Sequence, residues 1–451
     1  FFFKQKTAYE IKECDWSSDV CSSDLKNNMN PRIIALLAVL ASAEQAVAGD
    51  PAGLAGHPGK APAVRAHKPE HVGDNRPYVP SVLTQFGDPL PGLTAEQLNL
   101  FLDGKDDFEK VEDVAGGLGP IFNRDSCVAC HSGPAVGGAS PINVTRFGKV
   151  SGGLFDPLTA LGGSLLQERA ISPNGLEKVP SQANVVAKRQ TTPLFGLGLI
   201  EAIPDAVILK GVRTTAVDGV LGKASMVQDV ASGKSLVGRF GWKAQQASLL
   251  AFAGDAYLNE MGITNRLFPT ENAPNGNVTL LNQLDKVKDP EDTVDPATGK
   301  AGIDLLADYM RFLAPPPAGP VTASTAFGAK FFLDVGCTSC HTPSMTTGAS
   351  PVSALNNKTV FLYSDLLLHD MGSLGDGIVQ GAAGAREMKT PPLWGAAASG
   401  PYLHDGRANT LDEAIRAHDG EGRSARDKYL KLTPRSEEHT SELQSHSFIS
   451  Y

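Results

Sequence analysis

The chain has 451 residues and a formal net charge of −9 at pH 7. This length allows two domains with a sizeable core, and the acidic balance argues against a nucleic-acid-binding protein or a basic membrane-binding surface. Gly (47 residues) and Pro (31 residues) are frequent and aromatic residues make up only 7%, so we expect a chain rich in loops whose core contains something besides large side chains.

The two ends of the sequence do not read as folded protein. Residues 1–28 and 435–451 resemble translated sequencing adapters, show neither helical nor strand periodicity, and are interpreted as artefacts. Residues 29–48 fit a signal peptide, with one Arg, an apolar run too short to span a bilayer, and an Ala-Val-Ala cleavage site. We therefore expect export to the periplasm by a cleavable signal peptide and no stable membrane insertion.

Two helices are predicted, one beginning near residue 94 and one ending before Pro315. After an extended linker at 49–92, Thr94 precedes the amphipathic stretch TAEQLNLFLDG, which predicts a helix that Thr94 caps and Gly104 ends. The stretch AGIDLLADYMRFLAPPP predicts a second helix, ended by Pro315. Its buried face should consist of Ile303, Leu306, Tyr309, Met310 and Leu313.

The pentapeptide Cys-x-x-Cys-His occurs twice, and its four cysteines are the only ones outside the terminal artefacts: Cys127, Cys130 and His131, then Cys337, Cys340 and His341. Two thiols at this spacing can both add to the vinyl groups of one porphyrin, and the adjacent His then ligates the iron. A zinc site or a redox dithiol also uses Cys-x-x-Cys, but neither explains a His after both pairs. We predict two covalently bound c-type haems.

The surroundings of the two motifs share an order of elements. A Phe precedes each first Cys by five residues, TTPLFG follows the first motif and TPPLWG follows the second, and a Gly-Arg pair then precedes an apolar helical stretch. The same order twice predicts two haem domains in tandem. The matched residues are Phe122 and Phe332, and Gly238-Arg239 and Gly406-Arg407.

Many of these stretches resemble the bacterial di-haem oxidoreductases, distant relatives of the di-haem cytochrome c peroxidases and of MauG-type enzymes. They include GLGPIFNRDSCVACH, GLGLIEAIPDAVIL, AYLNEMGITNRLFP, CTSCHTPS, YSDLLLHDMG and TPPLWG, from about Leu93 to Leu432. The resemblance implies a mainly α protein of two tandem cytochrome c-like haem domains, at 93–314 and 315–434, with long irregular loops. Whether calcium lies between the domains, as in the peroxidase relatives, stays open.

The histidines separate the two haems. In the cytochrome c peroxidases a His shortly after the first motif usually caps the first haem, whereas no His lies between His131 and His341 here. The first iron is therefore expected to keep the open face that peroxide chemistry needs. The alternatives are capping by the amino-terminal arm, with His57, His67 and His71, or by Met226 or Met261.

The resemblance also implies roles near the first haem. AYLNEMG resembles the segment that carries the active-site Glu of the relatives, which maps the proton-transferring acid/base to Glu260, with Glu201 in GLIEAIPD as the second candidate. A helix cap or an ion-pair partner is the alternative for Glu260. GRFGWKA resembles the position of the bridging Trp, so Trp242 is a candidate electron relay, or else fills the core.

The second haem has three candidate sixth ligands: Met371, which we favour, then His369 and Met388. Met with His raises the potential of a haem, which suits an electron-accepting site. We therefore expect a periplasmic peroxidase that takes electrons from a small donor, such as a cytochrome c or a cupredoxin, and reduces peroxide. The alternatives are a MauG-like oxidase of a protein or organic substrate and a non-catalytic di-haem electron carrier.

Overall fold

The computed structural model describes residues 84–289, 293–319 and 322–432. The predicted signal peptide, most of the predicted linker, both terminal segments interpreted as artefacts, and His57, His67 and His71 lie outside these ranges.

Nine α-helices lie within the described ranges. They are α1 Ala95–Glu109, α2 Leu197–Glu201, α3 Asp205–Leu209, α4 Leu249–Ala256, α5 Val278–Leu284, α6 Gly302–Phe312, α7 Ala323–Val335, α8 Leu411–Ala417 and α9 Arg423–Tyr429. A single π-helical turn, Tyr257–Met261, continues α4. None of the helices in the described part of the chain combines the length and the apolar character needed to cross a bilayer.

Twelve short strands in the same ranges form small antiparallel sheets. They are β1 Ile121–Phe122, β2 Asn143–Ser151, β3 Leu154–Asp156, β4 Leu165–Leu166, β5 Arg169–Ala170, β6 Val185–Gln190, β7 Met226–Asp229, β8 Lys234–Val237, β9 Met345–Thr346, β10 Thr359–Val360, β11 Leu368–Asp370 and β12 Glu387–Lys389. In the largest sheet β2 pairs with β3, β4 and β6, and a separate ladder joins β11 to β12. Helical residues exceed strand residues, 32% to 17%, so the expected mainly α character is met only in part.

The predicted cap of α1 is confirmed, but its predicted end is wrong. The Thr94 side chain accepts from the backbone N–H of Gln97, and the Gln97 side chain accepts from that of Thr94, which is a capping box. The helix does not end at Gly104 but continues to Glu109. Gly104 faces α6, where a Cβ would lie 2.2 Å from the Leu305 carbonyl oxygen. The glycine therefore permits close helix packing instead of ending the helix.

The predicted face of α6 is confirmed. Its apolar residues are buried, and the helix ends at Phe312, shortly before Pro315. The main apolar core combines this face with residues from α1, α4 and the segment after the second motif, including Leu362, Leu366 and Trp394. One core thus includes residues from both predicted domains, and the boundary at 314 and 315 stays a prediction.

Candidate functional site

The first Cys-x-x-Cys-His forms a tight turn after α1. The backbone N–H groups of Cys130 and His131 both donate to the Cys127 carbonyl, at 3.2 and 3.0 Å. The His131 ring donates from Nδ1 to the Gly138 carbonyl at 3.1 Å, and its centroid lies 6.0 Å from that of Phe108 on α1. The carbonyl can only accept, so Nδ1 carries the proton and Nε2 keeps its lone pair.

The second motif repeats this geometry after α7. The His341 backbone N–H donates to the Cys337 carbonyl at 2.9 Å, and His341 Nδ1 donates to the Tyr363 carbonyl at 3.0 Å. Phe332 of α7 lies 6.2 Å from the His341 ring, centroid to centroid. Burial lowers the pKa of both His131 and His341 to about 4. Each is therefore a neutral imidazole held by Nδ1, the form in which a histidine ligates a metal.

The aromatic residue that matches Phe332 is Phe108, not Phe122 as the sequence spacing suggested. Phe108 and Phe332 each lie on the helix before a motif and against the motif histidine, whereas Phe122 lies on β1 and packs into the core. In the second half α7 leads directly into the motif. In the first half residues 110–126 intervene, and this longer connection shifts the apparent spacing.

Both sites contain features that a haem would satisfy. An apolar cavity opens beside the second motif and is lined by Cys337, Cys340, His341, Leu411, Ile415 and His418. At the first motif the Tyr309 hydroxyl is buried and has no hydrogen-bond partner among the described residues, and the Cys127 thiol is near enough to raise the pKa of that hydroxyl further after burial has done so. A buried hydroxyl without a protein partner would be satisfied by a polar group of a bound cofactor.

The three candidate sixth ligands of the second haem all line the cavity that contains His341. His369 is the most constrained of them, because Nδ1 contacts Glu421 Oε2 at 2.6 Å and Nε2 contacts Asp365 Oδ2 at 2.9 Å. Burial alone would lower its pKa, but hydrogen bonds with Asp365, Cys340 and Glu421 raise it to about 12. A doubly bonded imidazolium has no free lone pair, so the two methionines are better placed as ligands.

Met371 and Met388 lie on neighbouring segments of that wall. Met388 is on β12 and pairs with His369 across the β11–β12 ladder, and Met371 follows β11 directly. The cluster of Cys340, Asp365 and His369 is the one group of potential metal ligands found together among the described residues. It contains a thiol and an imidazole, so it does not resemble the all-oxygen shell that calcium prefers.

Glu260 lies on the π-helical turn after α4, against the segment that leads into the first motif. Its carbonyl accepts from the backbone N–H of Asn123 at 2.7 Å, and its carboxylate Oε2 accepts from Asn123 Nδ2 at 2.7 Å. Burial raises the pKa of Glu260, and its charge in turn raises the pKa of the Cys130 thiol, after burial of the thiol itself. The structure therefore brings this carboxyl group to the first motif in an environment that favours its protonated form.

Glu201 has a different environment. Its Oε1 accepts from the backbone N–H of Leu249 at 2.7 Å, and its Oε2 accepts from Arg311 Nε at 2.9 Å. Both oxygens are thus used to hold the start of α4 and the end of α6, which is a structural role. Of the methionines considered for the first haem, Met226 is 48% exposed on β7, whereas Met261 is buried in the core at 4%.

Trp242 lies in the turn between residues 240 and 246 and lines the cavity together with Trp394. Its indole N–H donates to the Gln190 carbonyl at 2.8 Å. The next two residues, Thr191 and Thr192, contact the first motif. The Trp242 ring meets His404 edge-on at 6.3 Å. The side chain therefore lies on the wall of a cavity that is lined both by residues contacting the first motif and by the second motif itself.

His404 is the counterpart of Trp242 in the second half. Residues 240 and 246 form a bridge before the Ser248 cap of α4, and residues 402 and 408 form a bridge before the Thr410 cap of α8. All three positions differ by 162 residues (402 − 240, 408 − 246 and 410 − 248). The Gly238-Arg239 and Gly406-Arg407 pairs differ by 168, so the sequence comparison matched the wrong residues within the right elements.

Three residues at these sites were missed from the sequence: Asn123, Arg146 and Tyr309. Asn123 forms a hydrogen bond with Glu260 across a sequence separation of 137 residues, and no local pattern predicts such a contact. Tyr309 was predicted only as part of a buried face. Arg146 on β2 acts electrostatically on Glu260. No local pattern marks Arg146 either, because its equivalence to a residue of the second half depends on how the strands pair.

Comparisons with known proteins address the family. A family profile described as "Di-haem oxidoreductase, putative peroxidase" matches residues 171–443. This range is more than half of the chain and includes Glu260, Trp242 and the second motif, although it begins after the first. No curated protein sequence matches the chain.

Similar solved structures include the hydrazine synthase of Kuenenia stuttgartiensis, at 16% identity, with 86% of this chain and 99% of that chain covered and a TM-score of 0.38. A MauG-like protein associated with microbial copper homeostasis has 13% identity, coverages of 83% and 97%, and a TM-score of 0.35. The diheme peroxidase BthA from Burkholderia thailandensis has 13% identity, coverages of 83% and 92%, and a TM-score of 0.35. The family match stands by itself: the chain belongs to the di-haem oxidoreductases, a family of enzymes whose members hold two haems.

Proposed function

We propose that this protein is a periplasmic di-haem peroxidase built from two tandem cytochrome c-like units, each carrying a covalently attached haem. The motif turns support the attachment, because each presents two thiols and a neutral imidazole that Nδ1 holds in place. The equivalent turns, helices and aromatic contacts around the two motifs support the tandem arrangement. Mass spectrometry of the mature protein should find two haems that survive denaturation, and one in a Cys127→Ala/Cys130→Ala variant.

The second site is proposed to receive electrons. Met371, or Met388 as the alternative, would be the sixth ligand opposite His341, since both line the cavity and His369 is held by carboxylates. His/Met ligation gives a haem a relatively high potential. The donor is proposed to be a small periplasmic protein such as a cytochrome c or a cupredoxin.

The observation that carries the proposal is the position of Glu260. A carboxyl group with a raised pKa lies beside the first motif and is held there by Asn123. A haem at His131 would supply the redox centre at which peroxide is reduced. Glu260 then takes a proton from one peroxide oxygen and returns it to the other, which leaves as water. With two electrons from the donor and two protons from solvent, one peroxide gives two waters.

The test is the Glu260→Gln variant, which keeps the shape and an acceptor oxygen for Asn123 but cannot exchange the proton. Peroxide turnover should fall by about 10²–10⁴-fold, the usual contribution of a positioned acid/base. Glu201→Gln is the matched control, because Glu201 binds Arg311 and α4, and its turnover should stay near that of the wild type. Unchanged turnover in Glu260→Gln would refute the assignment.

The spectrum separates this proposal from the other two functions. A peroxidase needs a high-spin haem that binds carbon monoxide, whereas two low-spin haems that bind no added ligand would make the protein an electron carrier. The MauG-like alternative requires an accessible first haem as well. It replaces the peroxidase proposal if peroxide, in the absence of a reduced donor protein, is consumed while an added protein or organic substrate is oxidised.

A further inference from the structure

The two halves share a set of hydrogen bonds that aligns them residue by residue. The motif histidines donate to the carbonyls of Gly138 and Tyr363. The leucines of TTPLFG and TPPLWG donate to the carbonyls of residues 137 and 362. The residues before these two motifs, 190 and 389, pair with residues 143 and 368. Every acceptor or strand partner is offset by the same 225 residues (363 − 138, 362 − 137 and 368 − 143).

At this offset the residue that corresponds to Met371 is Arg146. The strands that pair with β2 and β11 also correspond to each other. Residues of β6 and β12 are offset by 199 (389 − 190), so Arg189 corresponds to Met388. Both candidate methionine ligands of the second site are therefore arginines in the first half. Arg189 is committed elsewhere, because it forms a buried ion pair with Asp376 at 2.8 Å.

Arg146 is not committed in this way. Within the described residues its guanidinium makes one long hydrogen bond, from Nη1 to the Ser164 hydroxyl at 3.4 Å, and its buried Nε has no partner. Thr145, which precedes Arg146 on β2, points to the opposite side of the strand, and its hydroxyl accepts a hydrogen bond from Lys188. Burial raises the pKa of Glu260 and of Asp255, and the Arg146 side chain lies near enough to both carboxyl groups to oppose these shifts.

We propose that Arg146 binds the oxygen of a ligand at the first haem. It would occupy the position that Met371, the proposed sulfur ligand, occupies at the second haem. A guanidinium cannot ligate iron, so β2 would leave a haem held at His131 open to an added ligand. Its N–H groups would instead donate hydrogen bonds to an anionic oxygen, such as that of hydroperoxide, next to Glu260, which would exchange the proton. This inference rests on the proposed function, because it needs a haem at His131.

Fluoride binding to the oxidised holoprotein tests the proposal without peroxide turnover. Loss of a charge-assisted hydrogen bond should weaken fluoride binding by about tenfold or more in Arg146→Ala, whereas Arg146→Lys should lose less. Carbon monoxide, which is neutral, should bind the reduced protein with an affinity within about twofold of the wild type. Arg124→Ala is the matched control, because Arg124 is also near Glu260 but donates to the Asn123 carbonyl at 2.6 Å.

A second variant tests the correspondence directly. Arg146→Met should convert the first haem from high-spin to low-spin, with the near-infrared absorption of sulfur-ligated ferric haem, and should abolish fluoride binding. Failure of Arg146→Ala to weaken fluoride binding, together with a high-spin Arg146→Met, would overturn the inference and leave the proposed peroxidase intact. A wild-type protein that binds neither fluoride nor carbon monoxide would overturn both.

Discussion

At the scale of the residue, the Glu260 carboxyl group that we propose for proton transfer also affects the stability of the fold. Burial raises its pKa in the folded protein, although Asn123, Arg146 and Arg124 oppose this shift. A carboxyl group with a raised folded pKa binds its proton more tightly in the folded state. Its contribution to stability is therefore greatest below the ordinary pKa and is lost as the pH rises through the raised value. At neutral pH the group reduces the free energy of unfolding.

The Glu260→Gln holoprotein should consequently be at least as stable as the wild type at pH 7, and this advantage should shrink as the pH falls towards 4.5, the ordinary pKa. Urea denaturation at several pH values measures it. Glu201→Gln should show the opposite, a loss of about 1–2 kcal/mol at pH 7, because it weakens the hydrogen bond with Arg311. A stability loss in Glu260→Gln that does not vary with pH would show that the carboxylate is structural.

The sequence predicted those residues whose chemistry fixes their local spacing. Cys127, Cys130 and His131 stand out because attachment to one porphyrin edge and ligation of one iron would demand that pattern. Asn123 and Arg146 were not predictable in the same way, because their roles arise from contacts across 137 residues and from the alignment of β2 with β11. Local sequence carries no trace of such pairings until the fold brings the residues together.

At the scale of the elements, helix caps were predictable and helix packing was not. The Thr94 cap depends on residues three apart and was correct. Gly104 is a poor helix residue by its intrinsic propensity, which made it look like a terminus. Packing between α1 and α6 overrides that propensity, since only glycine leaves room for the Leu305 carbonyl. The same limitation made Phe122 seem equivalent to Phe332, because the length of the connection before a motif is not fixed by the motif.

One buried ion cluster joins β6, the turn at 240–246 and the loop after β11. Asp376 binds Arg189 at 2.8 Å and Lys243 at 2.9 Å, and the side chains of Lys243 and Asp376 are fully buried. Burial alone would raise the pKa of Asp376, but Arg189 and Lys243 lower it. The carboxylate therefore stays ionised and balances two cations away from water.

Asp376→Asn should leave two buried cations without a counter-charge and lower the free energy of unfolding by about 3–5 kcal/mol. Equilibrium denaturation measures the loss. Asp334→Asn removes an exposed partner of Lys330 one helical turn away on α7, and should cost no more than about 0.5 kcal/mol. Equal effects of the two variants would mean that water reaches the buried cluster.

At the scale of the whole molecule, the two halves exchange equivalent hydrogen bonds. The Lys389 N–H, at the end of β12, donates to the Trp242 carbonyl at 2.9 Å, and the Gln190 N–H, at the end of β6, donates to the His404 carbonyl at 2.6 Å. Each turn thus binds the strand end of the other half. Trp242 and His404, which occupy equivalent positions, meet edge-on between them. The repeated order of motifs predicted equivalent elements in the two halves, but it did not predict this reciprocal contact.

This contact gives the sharpest test of Trp242 as an electron relay. Trp242→Phe should keep most of the packing, lose the hydrogen bond to Gln190 and slow electron transfer from the second haem to the first severalfold. Stopped-flow spectroscopy after mixing with a reduced donor follows the two haems separately. Trp394→Phe is the control. Trp394 lines the same cavity, but its side chain is buried in the core, with 5% of its surface exposed, and packs on Gly196. This variant should lower stability with little effect on that rate, whereas equal rates in wild type and Trp242→Phe would assign Trp242 to core packing as well.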